Sequence, residues 1–371
     1  MSISGNDIMS PNLDEQAFNA GGNYSFGVNN TTSAGIREGR LAATGLTYER
    51  SEKMNIGLTM EMFRDLSFSF DAFRDKRTDI ITSTGGAVPT LIGIAAPFEN
   101  TGEVLNKGFE GSIMWKTEVG KLKYFIGGNF TYAKNEIINM NEEFQPFPYQ
   151  SETGRSIGQQ FGLQSLGFFQ NQADIDNSPK QLFSPVRPGD VKYKDQNGDN
   201  VIDAFDTVAL GYSNRNPELY YAINLGFEME GLGIDMLLQG AANETVYLNT
   251  KSLFWPLVGQ SNISEFSAGA WTPQTAATAT LPRLTMLAND NNYRRNDIWL
   301  TSGNYLKMRQ FELYYNFPQR LTKKVKMDKA KLYARGMNVF SIDNIKVADP
   351  ESFGVNYPTL ASYHLGIKIE F

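Results

Sequence analysis

A short stretch rich in acidic and amide side chains, DQNGDNVIDAFD, is the part of this sequence best suited to bind a metal ion. Its oxygen-bearing residues and one main-chain carbonyl follow the ligand spacing of a calcium-binding EF-hand loop. Calcium prefers six to eight oxygen ligands, and a chain that folds back on itself can supply them from one segment. The sequence therefore predicts a structural calcium (Ca²⁺) site formed by Asp195, Asn197, Asp199, Val201, Asp203 and Asp206.

Two positions of this loop depart from the EF-hand pattern. Asn200 stands where an EF-hand has an invariant glycine, and Asp206 replaces the bidentate glutamate. No helical pattern flanks the loop. Because Asp, Asn and Gly also favour tight turns in the absence of a metal, a metal-free turn loop is the alternative interpretation.

Two tryptophans, Trp255 and Trp271, lie in a long segment between predicted strands, at about residues 241–304. Exposed aromatic rings on a loop could stack on sugar rings, and they could equally anchor the loop to a neighbour or to the lipid surface. We therefore regard Trp255 and Trp271 as candidate substrate-binding residues, with anchoring as the alternative.

The residue types give little support to an enzyme or a nucleic-acid-binding protein. The chain has no cysteine, His364 is its one histidine, and no G-x-S-x-G motif occurs, so a hydrolytic triad has little support. The formal net charge of −6 argues against a nucleic-acid binder, which normally presents a basic face. We expect no catalytic residue and no nucleic-acid partner, and we expect His364 to line a lumen.

The secondary structure that positions these residues can be predicted from the sequence pattern. Apolar and polar side chains alternate along several segments, which indicates β-strands. About nine such segments occur, each close to the roughly 9–11 residues that a tilted strand needs to cross a bilayer. The clearest pair is ELYYAINLGFEM and LGIDMLLQG, joined at Glu230-Gly231, and the last segment is the tail YHLGIKIEF. A change of phase between Met308 and Phe311 predicts a β-bulge.

Alternation alone fits either a soluble sandwich or a membrane barrel, and the connections separate the two. Short turns alternate with long connections at about 74–106, 133–217, 241–304 and 341–357. Short turns on one side and long loops on the other are typical of a bacterial outer-membrane barrel. We therefore predict an all-β fold, an antiparallel transmembrane β-barrel portion of about nine strands with short periplasmic turns and long extracellular loops.

The same pattern predicts the orientation of individual side chains. Phe371 is expected at the periplasmic rim, where it would join an aromatic girdle with Trp115, Phe227 and Phe317. In the clearest strand, alternate large residues should face lipid, and the residues between them should face the lumen. The expected lipid-facing set is Leu219, Tyr221, Ile223, Leu225 and Phe227, and the expected lumen-facing set is Tyr220, Asn224 and Glu228.

Several long motifs, in order along nearly the whole chain, resemble the SusC/RagA type of TonB-linked outer-membrane transporter. They are SGND at Ser4–Asp7, GIREGRLAATGLTYERSEKMNIGLTMEMF, FENTGEVLNKGFEGSI, GRSIGQQFGLQSLGFFQNQADID and PGDVKYKDQNGDNVIDAFDTVALGYSNRNPELYYAINLGFEMEGLGIDMLLQG. The resemblance implies a barrel of about 22 strands with a plugged lumen in the outer membrane. It also implies import of oligosaccharides or peptides powered by TonB, with a SusD-like surface lipoprotein as partner.

A whole transporter of this type also carries a signal peptide, a TonB box, a plug domain and further strands, which are not visible in this sequence. We therefore expect residues 1–371 to be the C-terminal portion of such a barrel and Met1 to fall within an extracellular loop. Transport by this chain alone is not expected. The alternatives are a secreted β-rich binding or adhesion protein and an outer-membrane enzyme.

Overall fold

The fold is described from a computed structural model, which covers residues 1–6, 12–21, 24–28, 31–33, 35–83, 93–213, 216–345, 348–352, 357 and 359–371. Its strands are β1 (Ser2–Asn6), β2 (Phe18–Ala20), β3 (Tyr24–Phe26), β4 (Thr31–Ser33), β5 (Ile36–Glu38), β6 (Glu49–Met62), β7 (Leu66–Ser83), β8 (Phe98–Val119), β9 (Leu122–Asn139), β10 (Gln159–Gly162), β11 (Ser165–Phe168), β12 (Lys180–Gln181), β13 (Val191–Tyr193), β14 (Val201–Ile202), β15 (Val208–Ser213), β16 (Leu219–Met229), β17 (Leu232–Ala242), β18 (Thr245–Tyr247), β19 (Leu300–Ser302), β20 (Tyr305–Asn316), β21 (Lys329–Met337), β22 (Ser341–Asp343) and β23 (Ser362–Glu370).

The helices are short and belong to the connections between strands. The α-helices are α1 (Gln172–Asp176), α2 (Asp290–Tyr293) and α3 (Gln319–Thr322), and the 3-10 turns are Pro148–Gln150, Ala204–Asp206, Val258–Gln260, Glu265–Gly269, Asp297–Trp299 and Lys323–Val325. Among the described residues, none of these helices has the length and the apolar character to span a bilayer.

One large sheet dominates the fold, with the strand order β1-β6-β7-β8-β9-β16-β17-β20-β21-β23. The short strand β22 joins it by pairing with β20. Consecutive long strands are neighbours, and the described registers in this sheet are antiparallel. The predicted fold class is confirmed, because this meander of long antiparallel strands forms part of a barrel wall.

The expected number of about nine strands was too low by one at the start of the chain. Ser2–Asn6 forms β1 and pairs with the first residues of β6, from Ser2 opposite Lys53 to Asn6 opposite Glu49. Residues 2–6 are therefore part of the sheet, and the expectation that Met1 falls within an extracellular loop stays a prediction. The signal was missed because β1 has too few residues to show an alternation. Asp7, the last residue of the SGND motif, lies outside the described residues.

The expected connections at 74–106 and 133–217 were too long. β7 continues to Ser83, β8 begins at Phe98, and β9 continues to Asn139. These extensions are held by polar pairs, such as Ser51 Oγ donating to Asp75 Oδ1 (2.5 Å) and Lys76 Nζ beside Glu103 Oε1 (2.7 Å). Beyond the lipid band neither face of a strand needs to be apolar, so the alternation fades while the strand continues.

The chain divides into two compact units. One contains Met1–Ile56, Ala72–Gly108 and Lys134–Ile157, and it holds the small strands β2 to β5 and the polar extensions of the long strands. The other contains Gly57–Asp71, Phe109–Ala133 and Gly158–Phe371, and it holds the regular part of the sheet and the two longest connections. The prediction that residues 1–371 form one barrel portion stays a prediction.

The orientation predicted for β16 agrees with its register. Leu225 lies opposite Ile126 on one side and Met236 on the other, and Phe227 lies opposite Tyr124 and Ile234. Because side chains opposite one another project from the same face, these rows form a continuous apolar surface. Ile223 and Phe227 are exposed in the chain, as expected for side chains that contact lipid rather than a protein core.

Three of the aromatic residues expected at the periplasmic rim, Trp115, Phe227 and Phe317, lie on this apolar face, and the rim position of Phe371 stays a prediction. The rings of Trp115 and Tyr124 are 5.5 Å apart, and those of Tyr124 and Phe227 are 6.4 Å apart. Further along the same edge, the rings of Tyr315 and Phe317 are 5.2 Å apart. Aromatic side chains at this level are typical of the interfacial girdle of an outer-membrane barrel.

The opposite face of the sheet carries charged and polar rows. Gly226, Asp235, Glu312, Arg335 and His364 follow one another across five strands. Glu312 is buried between Arg335 Nε at 2.6 Å and Lys331 Nζ at 2.5 Å. His364 therefore lies on the polar face, where the sequence predicted a lumen residue, and its Nε2 is 3.1 Å from Ser362 Oγ.

The predicted bulge is present in β20. Leu237 pairs with Gln310 and Leu238 pairs with Met308, which leaves Arg309 as an additional residue on the bulged strand. A bulge changes the direction in which its additional side chain points. Arg309 Nε donates to Gln239 Oε1 (2.9 Å), and its guanidinium also contacts Glu351 in the following connection.

Replacing Ile223 by arginine should test the assignment of the lipid face. Ile223 lies near the middle of β16, where a charge on the lipid side should cost about 2–4 kcal/mol of folding free energy. Asn224→Arg, at the same depth on the polar face, is the matched control and should cost much less. Equilibrium unfolding of both variants in lipid vesicles checks this, and equal destabilisation would contradict the assignment.

Candidate functional site

The two longest connections of the second unit, residues 158–213 with 216–218 and residues 243–304, fold together into one loop assembly. Its apolar centre consists of Leu163, Val191, Tyr193 and Ile202, with Ile298 of the second connection packed against it. Leu163 also exchanges main-chain hydrogen bonds with the second connection, through Arg295 O (2.9 Å) and the N–H of Asp297 (3.2 Å). The two segments therefore form a single packed body rather than two independent loops.

Asp190 is the polar centre of the loop assembly, and its side chain is completely buried. Its Oδ1 accepts from Asn292 Nδ2 (2.8 Å) and Asn289 Nδ2 (3.1 Å), and Arg283 Nε lies 2.7 Å away. Its Oδ2 accepts from the main-chain N–H of Arg187 (2.7 Å). A buried carboxylate is tolerated when it is paired and hydrogen-bonded in this way, so Asp190 holds the second connection against the first.

Buried asparagines take the place of a neighbouring strand beside β13. Asn292 Oδ1 accepts the N–H of Val191 (3.0 Å), and Asn291 Nδ2 donates to the carbonyl of the same residue (2.9 Å). Asn296 Nδ2 donates to Tyr193 Oη (2.7 Å), and burial raises the pKa of this phenol well above its usual value. An amide side chain offers both a donor and an acceptor, so it can satisfy main-chain groups that a sheet would otherwise pair.

Four aromatic side chains of the second connection pack together at one side of this assembly. Trp255 lies 6.3 Å from Tyr247, 5.2 Å from Tyr293 and 6.0 Å from Trp299, measured between ring centroids. Trp299 is buried and its Nε1 donates to Asn292 O (2.6 Å). Burial raises the pKa of both Tyr247 and Tyr293 to about 12, so these phenols stay neutral.

A cavity of about 430 Å³ opens beside this aromatic group. Its wall includes the half-buried Trp255, whose Nε1 has no hydrogen-bond partner among the described residues. Lys251 and Arg294 also line it, and the described ion pairs leave both without a carboxylate partner. The remaining lining residues are Val258, Gly259, Met286, Leu287, Ala288, Asn289, Asp290 and Tyr293. The cavity thus combines an aromatic surface with two cationic side chains, of which Arg294 also lies over the ring of Phe183 at 3.8 Å from its centroid.

The two candidate tryptophans have different environments. Trp255 lines the cavity, whereas Trp271 is only 8% exposed, so the expectation that both rings are exposed is wrong for Trp271. The Trp271 ring lies against Gly189, where the positive φ of 88° and the lack of a side chain allow the close approach. Residues far apart in sequence bury Trp271, so the sequence pattern of its own segment could not reveal this.

The predicted calcium loop is closed by hydrogen bonds from its own main chain to its acidic side chains. Asp195, at its first position, accepts the N–H of Asn200 through Oδ2 (2.8 Å) and that of Gly198 through Oδ1 (2.6 Å). Asn200 has a φ of 63°, so an asparagine adopts the left-handed conformation for which EF-hands use glycine. Asp199 Oδ1 accepts the N–H of Val201 (2.8 Å).

The last two acidic positions of this loop form a capping box. Asp203 Oδ1 accepts the N–H of Phe205 (2.8 Å), while the buried Asp206 accepts the N–H groups of Asp203 (2.8 Å) and Gln196 (2.7 Å). Within the described part of the chain, no three acidic, histidine or cysteine side chains are gathered in a way that could hold a metal ion. Calcium binding by Asp195, Asn197, Asp199, Val201, Asp203 and Asp206 stays a prediction.

A second charged centre connects the strand β20 to the connection at 338–361. Lys307 is buried and contacts Asp349, and its Nζ lies 2.8 Å from Glu351 Oε2. Tyr305 Oη donates to Glu351 Oε1 (2.9 Å). Burial alone would raise the pKa of Asp349, but hydrogen bonds from Lys307 and Thr359 outweigh it and hold this pKa well below its usual value.

One carboxyl group just after the end of β17 has a raised pKa instead of a lowered one. Burial raises the pKa of Glu244, directly after β17, to about 6. Its main-chain carbonyl accepts the N–H of Gly303 (2.9 Å), which joins the two ends of the second long connection. Such a group gains and loses its proton within the mildly acidic range.

Sequence reasoning missed Asp190, Asn289, Asn291, Asn292 and Asn296. The run NDNNYRRND carries four of them within one segment, and an asparagine-rich run inside a long connection was the available signal. The pattern does not show which main-chain groups these amides satisfy, because their partners lie roughly a hundred residues away.

Comparisons with known proteins agree with this architecture. The profile of the family described as "TonB dependent receptor-like, beta-barrel" matches residues 6–228. The TonB-dependent receptor P26 of Formosa agariphila is 25% identical over an alignment of 391 residues that covers 92% of this chain and 37% of that protein. The TonB-dependent receptor P3 of the same organism is 22% identical, with coverage of 89% and 35%.

Solved structures of the RagAB peptide importer show the same fold. The structure in the open-open state matches with a TM-score of 0.72 at 18% identity, and the match covers 100% of this chain and 39% of that chain. The structure in the closed-closed state matches with a TM-score of 0.71 at the same identity. The present chain spans less than two fifths of the length of the relatives P26 and P3.

Replacing Asp190 by asparagine should loosen the loop assembly and leave the sheet intact. The substitution removes the charge that pairs with Arg283 and places amide donors against those of Asn289 and Asn292, at a cost of about 3–5 kcal/mol. Hydrogen exchange should then accelerate in residues 158–218 and 243–304 but not in β16 or β17. Asp176→Asn, an exposed change in the same connection, should have no such effect, and unchanged exchange in the Asp190 variant would contradict this role.

Calcium binding by the loop can be measured directly by calorimetry on the receptor that contains this chain. Asp199→Ala removes the ligand expected at the fifth position and should abolish or greatly weaken the binding heat. Asp176→Ala, outside the loop, should bind calcium as the unmodified protein does. Equal calcium uptake by the Asp199 and Asp176 variants would leave the motif as a metal-free turn.

Proposed function

The chain belongs to the TonB-dependent receptor β-barrel family, and from this premise we propose that it supplies wall strands and extracellular loops to a TonB-driven nutrient importer. The family is located in the outer membrane, where the apolar face of the sheet contacts lipid. The alternative of a secreted β-rich binding or adhesion protein therefore loses its support. The imported ligand in this proposal is an oligosaccharide or a peptide, which a SusD-like surface lipoprotein would help to capture.

The observation that carries this proposal is the packed loop assembly on the long-loop side of a family-typical barrel wall. Loops that merely close strands do not require a buried charged centre such as Asp190 or a shared apolar core. The cost of ordering some sixty residues in each connection is offset when the ordered surface serves to contact a ligand or a partner. The RagAB structures share the fold of this region, and RagAB is a peptide importer.

Within the assembly, we place one ligand contact at the cavity beside Trp255. The ring of Trp255 offers an aromatic surface to this cavity. Lys251 and Arg294 add two cations that could pair with a carboxylate of the ligand. This arrangement favours a ligand with an acidic group next to an apolar or ring-shaped surface. Trp271 is a weaker candidate because it is buried.

The transport proposal is tested by uptake in cells that carry the complete receptor and its TonB system. Two fluorescent probes are suitable: a pool of acidic peptides of about five to ten residues and a galacturonate oligosaccharide. Uptake of one of them should depend on the receptor and should stop when an uncoupler collapses the proton gradient, because TonB transfers that energy. Receptor-independent uptake of both probes would contradict the proposal.

The role of Trp255 is tested by binding of the same probes to the purified receptor. Trp255→Ala should weaken binding of the preferred probe by about 2- to 12-fold, which corresponds to the roughly 0.5–1.5 kcal/mol of an aromatic contact. Phe205→Ala changes an exposed aromatic of the same assembly that does not line the cavity, and it should bind normally. Unchanged affinity of the Trp255 variant for both probes would remove this residue from the ligand site.

A further inference from the structure

The connection between β20 and β21, residues 318–328, is a cationic segment on the short-turn side of the sheet, and we call it the basic turn. It contains α3 and the 3-10 turn Lys323–Val325. Lys326 follows in the left-handed conformation, with a φ of 57°, and reverses the chain toward β21. Thr322 is buried, and its Oγ1 donates to Asp328 O (3.4 Å), which closes the turn.

Four cations of the basic turn point into solvent without a carboxylate partner. Arg320, Lys323, Lys324 and Lys326 are all exposed, and the ion pairs of the described residues include none of them. The lysines of the adjoining strand β21, in contrast, do have carboxylate partners. Lys329 lies 2.9 Å from Glu370, and Lys331 lies 2.5 Å from Glu312. The unpaired charge is therefore concentrated in the turn itself.

Two apolar side chains accompany these cations. Leu321 is 52% exposed and Val325 is 59% exposed. They are four residues apart, which places them on neighbouring positions of one helical surface. A short segment with basic residues and exposed aliphatic residues has the composition of an element that lies in a membrane interface.

The basic turn begins where the lipid-facing surface ends. Tyr315 lies opposite Leu232 and Leu332 in the apolar rows of the sheet, and its ring is 5.2 Å from that of Phe317. The N–H of Phe317 still donates to Ala330 O (2.9 Å), so the strand pairing continues up to this residue. Since aromatic girdles mark the level of the lipid headgroups, the residues directly after Phe317 lie at the headgroup layer of the periplasmic leaflet.

We propose that the basic turn binds anionic phospholipid of the periplasmic leaflet. Arg320, Lys323, Lys324 and Lys326 would meet the headgroup phosphates, and Leu321 and Val325 would reach the boundary of the acyl chains. The surface is continuous with the lipid-facing wall, and its charge is complementary to an anionic headgroup. The proposal does not depend on the identity of the imported ligand.

Native mass spectrometry of the purified receptor with defined lipids tests this. The receptor is offered equal amounts of phosphatidylglycerol and phosphatidylethanolamine with matched acyl chains, and phosphatidylglycerol should be retained preferentially. Lys323→Gln/Lys324→Gln/Lys326→Gln should reduce this preference by on the order of fivefold for each charge removed. Leu321→Ser/Val325→Ser should lower retention of both lipids and keep the preference.

Lys180→Gln/Arg187→Gln/Lys194→Gln is the matched control, because it removes three exposed cations from the first long connection on the other side of the membrane. This variant should retain phosphatidylglycerol as the unmodified receptor does. If the triple variant of the basic turn does not fold, the single changes Lys323→Gln and Lys324→Gln should each lower the preference. Equal retention of the two lipids by the unmodified receptor, or an unchanged preference after the charges are removed, would overturn the proposal.

Discussion

The structure depends on one constraint, which is that main-chain N–H and C=O groups inside a lipid bilayer have no water to pair with. Each group left unpaired in hydrocarbon costs several kcal/mol, so a strand there needs a neighbour along both edges. From β6 to β21, each long strand of the path has such neighbours. The uninterrupted register between β9 and β16, from Leu219 opposite Tyr132 to Met229 opposite Leu122, shows this pairing at its most regular. The apolar and polar rows of side chains then follow from the pleat.

Outside the bilayer the same requirement is met by different chemical groups. In the loop assembly, side-chain amides of Asn291 and Asn292 pair with the main chain of Val191, and the carboxylate of Asp190 gathers donors from both long connections. This arrangement allows irregular chain segments to pack around an interior without forming a regular sheet. It also gives the assembly a defined shape, which the cavity beside Trp255 requires.

The ends of the strands link these two regions. At the long-loop end, the bulge at Arg309 and the buried Lys307 join β20 to the carboxylates Asp349 and Glu351 of the connection that follows. At the short-turn end, the aromatic residues of the apolar face lead directly into the basic turn. The same strand therefore carries a charged anchor for the loops at one end and an interfacial segment at the other.

The sequence by itself determined the class of fold, the lipid-facing positions of β16 and the bulge, because alternation, turn spacing and phase are local properties of the chain. It identified the short turns correctly but placed the ends of β7 and β9 too early and the start of β8 too late, since strands beyond the lipid band no longer need an apolar face. Only the tertiary structure decided that Trp271 is buried, that Trp255 lines a cavity and that Asp190 organises both connections. These outcomes depend on contacts between residues far apart along the chain, and no local pattern encodes which distant groups will meet.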